Sequence, residues 1–344
     1  MNWPELLSGL VRGRDQSRDA TAWAMEQILT GAATPAQLAA FVVALRSKGE
    51  TVEEITGLAD TMIEFATPIE IPGPAVDVVG SGGDRANTVN ISTMAAVVAA
   101  GAGARVVKHG NRAASSACGA ADVLEALGVV LDLTPEQQQV VVEQTGIGFL
   151  FAPLYHPALR HAAGPRRELG IPTTFNFLGP LANPAQPDSQ AVGVADARMA
   201  ELMAGVFATR GNQGLVFHGD DGLDELTTTT TSTVWLFADG SVSQTELDPA
   251  DLGLAAASLA DLVGGAPSLN AEVAQATLSG VIGPVRDIVI LNAAAALTAF
   301  DTPAPDRLLD QFRAGMARAE DAIDSGAARA KLSDWVEATH SFRR

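Results

Sequence analysis

One cysteine, Cys118, occurs in 344 residues, so the chain can form no internal disulfide, and the side chain reads as a small buried or half-buried group. Basic residues are scarce and scattered: 22 Lys and Arg face 40 Asp and Glu, for a net charge of −18. A nucleic-acid surface needs a broad basic face, so that class of partner is excluded. No uninterrupted apolar run reaches membrane-spanning length, and the amino terminus lacks a basic start followed by an apolar segment. Neither a membrane span nor a secretory signal is expected, and cytoplasmic location is the default. Short-period repeats, a low-complexity tail and an obvious serine or cysteine triad are also missing.

What is present is a 47% hydrophobic chain, long enough for two domains or for one large domain with a subdomain. Its most informative run is Val76 to Asp122. Val76, Val78 and Val79 suit a strand, Gly80, Gly82 and Gly83 remove Cβ atoms from the following turn, and Asn90-Ile91-Ser92-Thr93 opens an apolar helix. A helix start carries unpaired N–H donors and a partial positive charge, which suits phosphate. Arg105 to Val107 reads as a second strand, with Lys108-His109-Gly110-Asn111-Arg112 at its end. In an open α/β sheet both loops leave the carboxyl ends of strands and can meet one anionic ligand larger than a phosphate. Taken alone, GSGGD reads first as an ordinary tight turn, and it has neither the GKS or GKT ending of a P-loop nor GxGxxG spacing.

A second constellation, His218-Gly219-Asp220-Asp221-Gly222-Leu223-Asp224-Glu225, crowds four carboxylates into a loop. Their repulsion calls for water or a cation, so the segment is either an exposed acidic turn or a magnesium site of the kind that keeps waters and shares substrate phosphates. Such a site would answer a problem set by the net charge. An acidic protein needs local cations to hold a phosphorylated anion, and screening over about 8 Å at physiological salt lets the nearby charges dominate.

Helical spacing predicts helices over Thr21 to Leu29, Pro35 to Leu45 and Val52 to Phe65, with Thr51 and Glu54 as a capping box and stops at Gly31 and Gly49. The proline-rich stretch from Pro68 to Pro74 cannot continue a helix and is the expected hinge. Beyond it, strands are expected at Gly128 to Val130, Gly148 to Phe151, Ala191 to Val194, Gly214 to His218 and Thr227 to Phe237. Helices are expected from Thr134-Pro135 and over Arg198 to Thr209, Ala271 to Val281, Val285 to Phe300 and Asp306 to Ile323.

GSGGD (Gly80 to Asp84), NIST (Asn90 to Thr93), KHGNR (Lys108 to Arg112), GPRRELGIPTTFNFLGPLANP (Gly164 to Pro184) and HGDDGLDELT (His218 to Thr227) together resemble the anthranilate phosphoribosyltransferase family over nearly the whole chain. Ser81 stands where the family usually has threonine, and Ala120 lacks a hydroxyl that the family's serine-rich stretch would supply. The resemblance implies an α/β fold: a small all-helical domain, 1–70 joined by about 156–187, beside a larger domain, 75–155 and 188–344, with a mostly parallel sheet flanked by helices and a hinge at 68–74. It implies transfer of a phosphoribosyl group to the amine of anthranilate, with magnesium, the number of ions open, and a homodimer through the helical domain.

Carried over residue by residue, phosphoribosyl diphosphate would lie among Gly80, Gly83, Asp84, Thr88, Asn90, Ile91, Ser92, Thr93, Lys108, His109, Gly110, Asn111, Arg112, Ala113, Ala114, Ser115, Ser116 and Ala120. Anthranilate would meet Gly80, Asn111 and Arg166, and the metal would meet Ser92, Asp224 and Glu225. Arg166 and Arg167 are otherwise an ordinary surface pair, and His109 is either a structural hydrogen-bonding group or one that orients the amine. Two rival readings are a pyrimidine-nucleoside phosphorylase-like enzyme, against which the Asp224-Glu225 pair argues, and a noncatalytic phosphosugar sensor.

Overall fold

The computed structural model describes residues 1–113 and 116–343. Four helices come first, α1 (Trp3–Val11), α2 (Arg18–Leu29), α3 (Pro35–Lys48) and α4 (Val52–Glu64). Thr51 and Glu54 form the expected capping box, and Thr34 with Gln37 forms another at α3, which Gly49 closes at φ +92°. The proline-rich segment then leads to β1 (Val76–Gly80), tied by the Thr67 N–H to the Tyr155 carbonyl at 2.7 Å and by Arg105 to the Pro72 carbonyl.

Strand and helix alternate from there: α5 (Ile91–Gly101), β2 (Val106–Gly110), α6 (Ala120–Ala126), α7 (Pro135–Thr145), β3 (Ile147–Phe151). Three short helices, α8 (Ala152–Tyr155), α9 (Arg160–Leu169) and α10 (Phe175–Leu178), break the alternation. It resumes with β4 (Ser189–Gly193), α11 (Ala197–Thr209), β5 (Gln213–Gly219), β6 (Ser232–Ala238) and β7 (Ser241–Leu247). The chain finishes with α12 (Pro267–Leu278), α13 (Pro284–Phe300), α14 (Leu308–Asp324) and α15 (Ala327–His340).

The seven strands run β3-β2-β1-β4-β5-β6-β7, parallel from β3 to β5 and antiparallel at β6 and β7. Chain direction across the sheet reverses between β1 and β4, so the crevice outside their carboxyl ends is where this class of sheet binds ligands. One face is covered by α5, α13, α14 and α15, and α5 is buried all round, which is why its sequence ISTMAAVVAAG shows no polar face. The other face packs Val79, Val192, Val216 and Phe237 against α11 and, continuously with it, α1 to α4. The amino-terminal helices therefore share an apolar core with the sheet.

Three sequence expectations fail. Lys108, His109 and Gly110, expected in the loop after a strand ending at Val107, are the last three residues of β2 and pair with Phe149, Leu150 and Phe151 of β3. Gly128 to Val130 is not a strand: β3 forms that edge of the sheet, the Val129 N–H bonds the end of α6, and the Val130 N–H donates to Thr339 Oγ1 at 3.1 Å. A three-residue apolar run has no periodicity to separate buried loop from strand. The strand expected from Thr227 begins only at Ser232, because the preceding threonine hydroxyls bond Asp220 and Asp221 and draw the backbone out of the ladder. Among the described residues, no helix is long and apolar enough to cross a membrane.

Candidate active site

At the carboxyl end of β1 the loop from Ser81 turns through Gly82 and Gly83, at φ +71° and +95°, and reaches α5. Its neighbour is the loop after β4, which donates from Ala195 N–H to Ser81 Oγ at 3.1 Å while Ser81 N–H bonds the Gly193 carbonyl at 2.8 Å. Asp224 is drawn into this junction. A Cβ on Gly80 would strike its carboxylate and one on Gly193 would strike its backbone carbonyl, so glycine at both positions admits the acidic loop. The pattern of glycines in the first loop pointed to Gly80; Gly193, at the end of a strand with no turn signal, carried none.

Asp224 Oδ2 accepts from Gly82 N–H at 2.6 Å, and Glu225 Oε1 accepts from Ser92 N–H at 3.2 Å, in the first turn of α5. Lys108 lies beneath, fully buried, donating to the Val78 carbonyl and to Ser92 Oγ at 3.3 Å. The metal and phosphate residues expected from sequence thus meet, but one N–H of the helix start is taken by Glu225. Burial pushes the Asp224 carboxyl up to about 7, with Asp84 adding to the effect, and holds Glu225 well above its usual range, with Asp224 next. Lys108 is pulled down by burial against the attraction of Asp77, Glu225 and Asp224.

Two buried carboxylates served by few donors fit a divalent cation, and oxygen-only donors fit magnesium. Among the described residues, no three His, Cys, Asp or Glu side chains converge to cage an ion. Asp220 and Asp221 belong elsewhere: Asp221 accepts from Thr227 Oγ1 at 2.7 Å and from Thr229, and Asp220 accepts from Thr231. Asn292 on α13 secures the acidic loop by accepting from Leu226 N–H at 3.0 Å and donating to the Leu226 carbonyl at 2.9 Å, a contact with no local sequence signal.

The second loop joins the first through Asn90, whose Nδ2 donates to the Cys118 carbonyl at 3.0 Å and whose Oδ1 accepts from Asn270 on α12 at 2.8 Å. Thr88 bridges to Val263, Thr93 is buried with its hydroxyl unpartnered among the described residues, and Ile91 is core, offering only backbone. Gly110 ends β2, and exposed Asn111 accepts from the Arg112 N–H at 2.7 Å. The Arg112 guanidinium is engaged by Asp122 at 3.0 Å and Glu125 at 2.8 Å, and Ala113 N–H donates to Asp122 at 3.0 Å. Ser116 is exposed and Ala120 opens α6; Ala114 and Ser115 lie outside the described residues.

His109 is buried, with Nδ1 at 3.1 Å from the Gly179 carbonyl. A carbonyl only accepts, so Nδ1 carries the proton and Nε2, which has no partner among the described residues, is an acceptor. Burial, with His156 adding to it, pushes the ring down to about 3, so it is neutral. Below it Asp77 accepts from the His109 N–H at 3.2 Å and from Asn183 at 2.8 Å, and burial raises that carboxyl to about 6.

Arg166 sits on α9, half-buried, its guanidinium 5.1 Å from the Phe175 ring; burial lowers its pKa, while Arg167 is exposed. Among the described residues, Arg166 makes no hydrogen bond to these loops, and the Asn111 side chain bonds only to its neighbour Arg112. A cavity of about 530 Å³ lined by Arg18, Asp60, Gln190 and Arg210 lies at the opposite, amino ends of β4 and β5, away from these loops.

The sequence matches the glycosyl transferase family a/b domain over residues 72–329 and the helical bundle domain of the same family over residues 4–66. It is 60% identical to the anthranilate phosphoribosyltransferase of Acidothermus cellulolyticus over 99% of this chain and 96% of that one. The crystal structure of the Thermus thermophilus enzyme superposes with a TM-score of 0.90 at 39% identity, over 97% of this chain and 99% of that one. The Saccharomyces cerevisiae enzyme, solved in complex with phosphoribosyl diphosphate and magnesium, gives 0.83 at 28% identity, over 94% of this chain and 92% of that one. This chain belongs to the anthranilate phosphoribosyltransferase family of glycosyl transferases.

Proposed function

We infer that the chain transfers the 5-phosphoribosyl group of phosphoribosyl diphosphate to the amine of anthranilate, giving N-(5-phosphoribosyl)anthranilate and diphosphate, as a step of tryptophan biosynthesis. The observation that carries this reading is the buried Asp224–Glu225 pair brought against Gly82, Ser92 and Lys108 at the sheet's switch point. Asp224, Glu225 and the Ser92 hydroxyl would hold magnesium, which when bound neutralises negative charge on the diphosphate. Gly80, Gly83, Asp84, Thr88, Asn90 and Thr93 would surround the diphosphate and ribose phosphate, with the Lys108 ammonium as a point charge.

The C1–O bond to diphosphate breaks as the amine nitrogen bonds to C1, and the amine then releases a proton. An aromatic amine is already neutral near pH 7, so no enzyme nucleophile or strong base is needed, and positioning together with preorganised charge supplies the catalysis. The Arg166 guanidinium suits the anthranilate carboxylate through two parallel hydrogen bonds, with Asn111 and Gly80 completing that half of the site. His109, neutral with Nε2 free to accept, would orient the amine.

The domain boundaries given from sequence, with movement at 68–74 excluding water before reaction, belong to the same reading. So do a cytoplasmic location and a homodimer through the helical domain, where Val11 at 79% and Val43 at 36% exposure leave apolar surface on α1 and α3. Light scattering that finds a concentration-independent monomer would reject the dimer. The activity is tested by mixing the purified chain with anthranilate, phosphoribosyl diphosphate and magnesium and following anthranilate fluorescence. Its loss is expected; binding without turnover, or phosphate-driven cleavage of a pyrimidine nucleoside, would contradict the reading.

A further inference from the structure

We infer that Glu50 and Thr174 form a positioning pair for Arg166, an inference that rests on reading Arg166 as the partner of the anthranilate carboxylate. Glu50 lies between α3 and α4, its side chain fully enclosed. One carboxylate oxygen accepts from Thr174 Oγ1 at 2.6 Å, and the other accepts from Arg198 on α11 and from Arg46 on α3 at 3.5 Å. A single buried carboxylate therefore joins the amino-terminal helices, the segment after α9, and the helix that follows β4.

The segment after α9 is where the consequence falls. Thr174 is buried and immediately precedes Phe175, whose ring seats the Arg166 guanidinium at 5.1 Å. Arg46, besides its contact with Glu50, pairs with Asp196 and lies 5.4 Å from the Phe177 ring. Asp196 follows Ala195, whose N–H holds Ser81 of the first loop at 3.1 Å. One aromatic contact, two peptide steps and a run of hydrogen bonds and ion pairs through Thr174, Glu50, Arg46 and Asp196 thus lead from Arg166 to the loop that would grip the diphosphate. A hydroxyl bonded to a buried carboxylate is a short, charge-assisted contact that fixes the peptide on which Phe175 is mounted. Without it, Arg166 keeps its charge but loses its seat.

Thr174→Val removes the donor at nearly constant volume and leaves Glu50 its two arginines. The expected result is an anthranilate KM raised about fivefold, with kcat and the KM for phosphoribosyl diphosphate changed less than about twofold. Thr174→Ser should restore the wild-type value, and in a Glu50→Ala background, which removes the acceptor, Thr174→Val should add nothing further, as for two groups acting through one contact. Hydrogen exchange over residues 160–178 should quicken in Thr174→Val whether or not the chain turns over. Equal rises in both KM values, no rescue by serine, additive effects in the double variant, or unchanged exchange would overturn the pair. Absence of turnover in the wild-type chain would instead refute the proposed activity, and the exchange measurement would still decide on Glu50 and Thr174.

Discussion

Glu50 and the Asp224–Glu225 pair are all buried, yet the protein treats them oppositely. Glu50 is answered by a hydroxyl and two guanidiniums, so its charge is balanced where it stands. Asp224 and Glu225 each receive a backbone N–H and share the field of one buried lysine, and burial drives both carboxyls upward. Burying a carboxylate is costly unless it is paired. The balanced group reads as a junction and the unbalanced pair as a place prepared for a cation, a distinction that depends on donors rather than on depth.

The contrast breaks most visibly if the two sites respond alike to neutralisation. Asp224→Asn with Glu225→Gln should cut magnesium-dependent turnover about a thousandfold or more. The metal-free melting temperature should not fall, because an uncompensated charge has been removed. A fall in that temperature comparable with the loss from a Glu50 variant would show that the pair is structural. Next in size, Arg166→Ala should raise the anthranilate KM by about 10- to 100-fold while the phosphoribosyl diphosphate KM stays within about twofold, with Arg167→Ala changing neither. Equal loss of both substrates in steady-state kinetics would remove Arg166 from the anthranilate half.

Glu50→Ala should destabilise the chain by about 2 kcal/mol, read as a lower midpoint in denaturant. That is less than for a wholly buried pair, because Arg46 and Arg198 retain contact with water. A smaller effect is set by pH. Asp224, raised to about 7, keeps in the folded state a proton that the unfolded chain releases near pH 4. Metal-free stability contributed by this group therefore falls as pH rises from about 4 to about 7, and magnesium should raise the melting temperature more at pH 8 than at pH 5.5. Equal magnesium shifts at the two pH values would contradict the balance argued here. Smallest of all, Cys118 is buried with its thiol pushed up to about 11 by that burial, so alkylation of the native protein near pH 7.5 should be slow.

Much of the contrast was legible before the structure, and unevenly so. Local grammar exposed the first loop: glycines after an apolar run and NIST at a helix start locate β1 and α5 closely, whereas the polar KHGNR read as loop although Lys108 to Gly110 complete β2. The capping box at Thr51 located α4 for the same reason, since Thr51 and Glu54 lie within one turn. Partners distant in sequence were invisible. Nothing near Glu50 announces Thr174 or Arg198, and nothing near Leu226 announces Asn292. Gly193 looks like the end of any strand until Asp224 is seen passing over it. The polar edge strand β7 lacked apolar alternation because both its faces are largely exposed, and the threonine run read as strand because its hydroxyl bonds to Asp220 and Asp221 leave no periodic trace.

The most direct test is a crystal complex of the chain with phosphoribosyl diphosphate in which manganese replaces magnesium, so that anomalous scattering locates the ion. The account predicts a metal within about 2.2 Å of an Asp224 or Glu225 carboxylate oxygen, sharing a ligand oxygen with the diphosphate. A metal bound only elsewhere, with the sugar remote from both side chains, would contradict it.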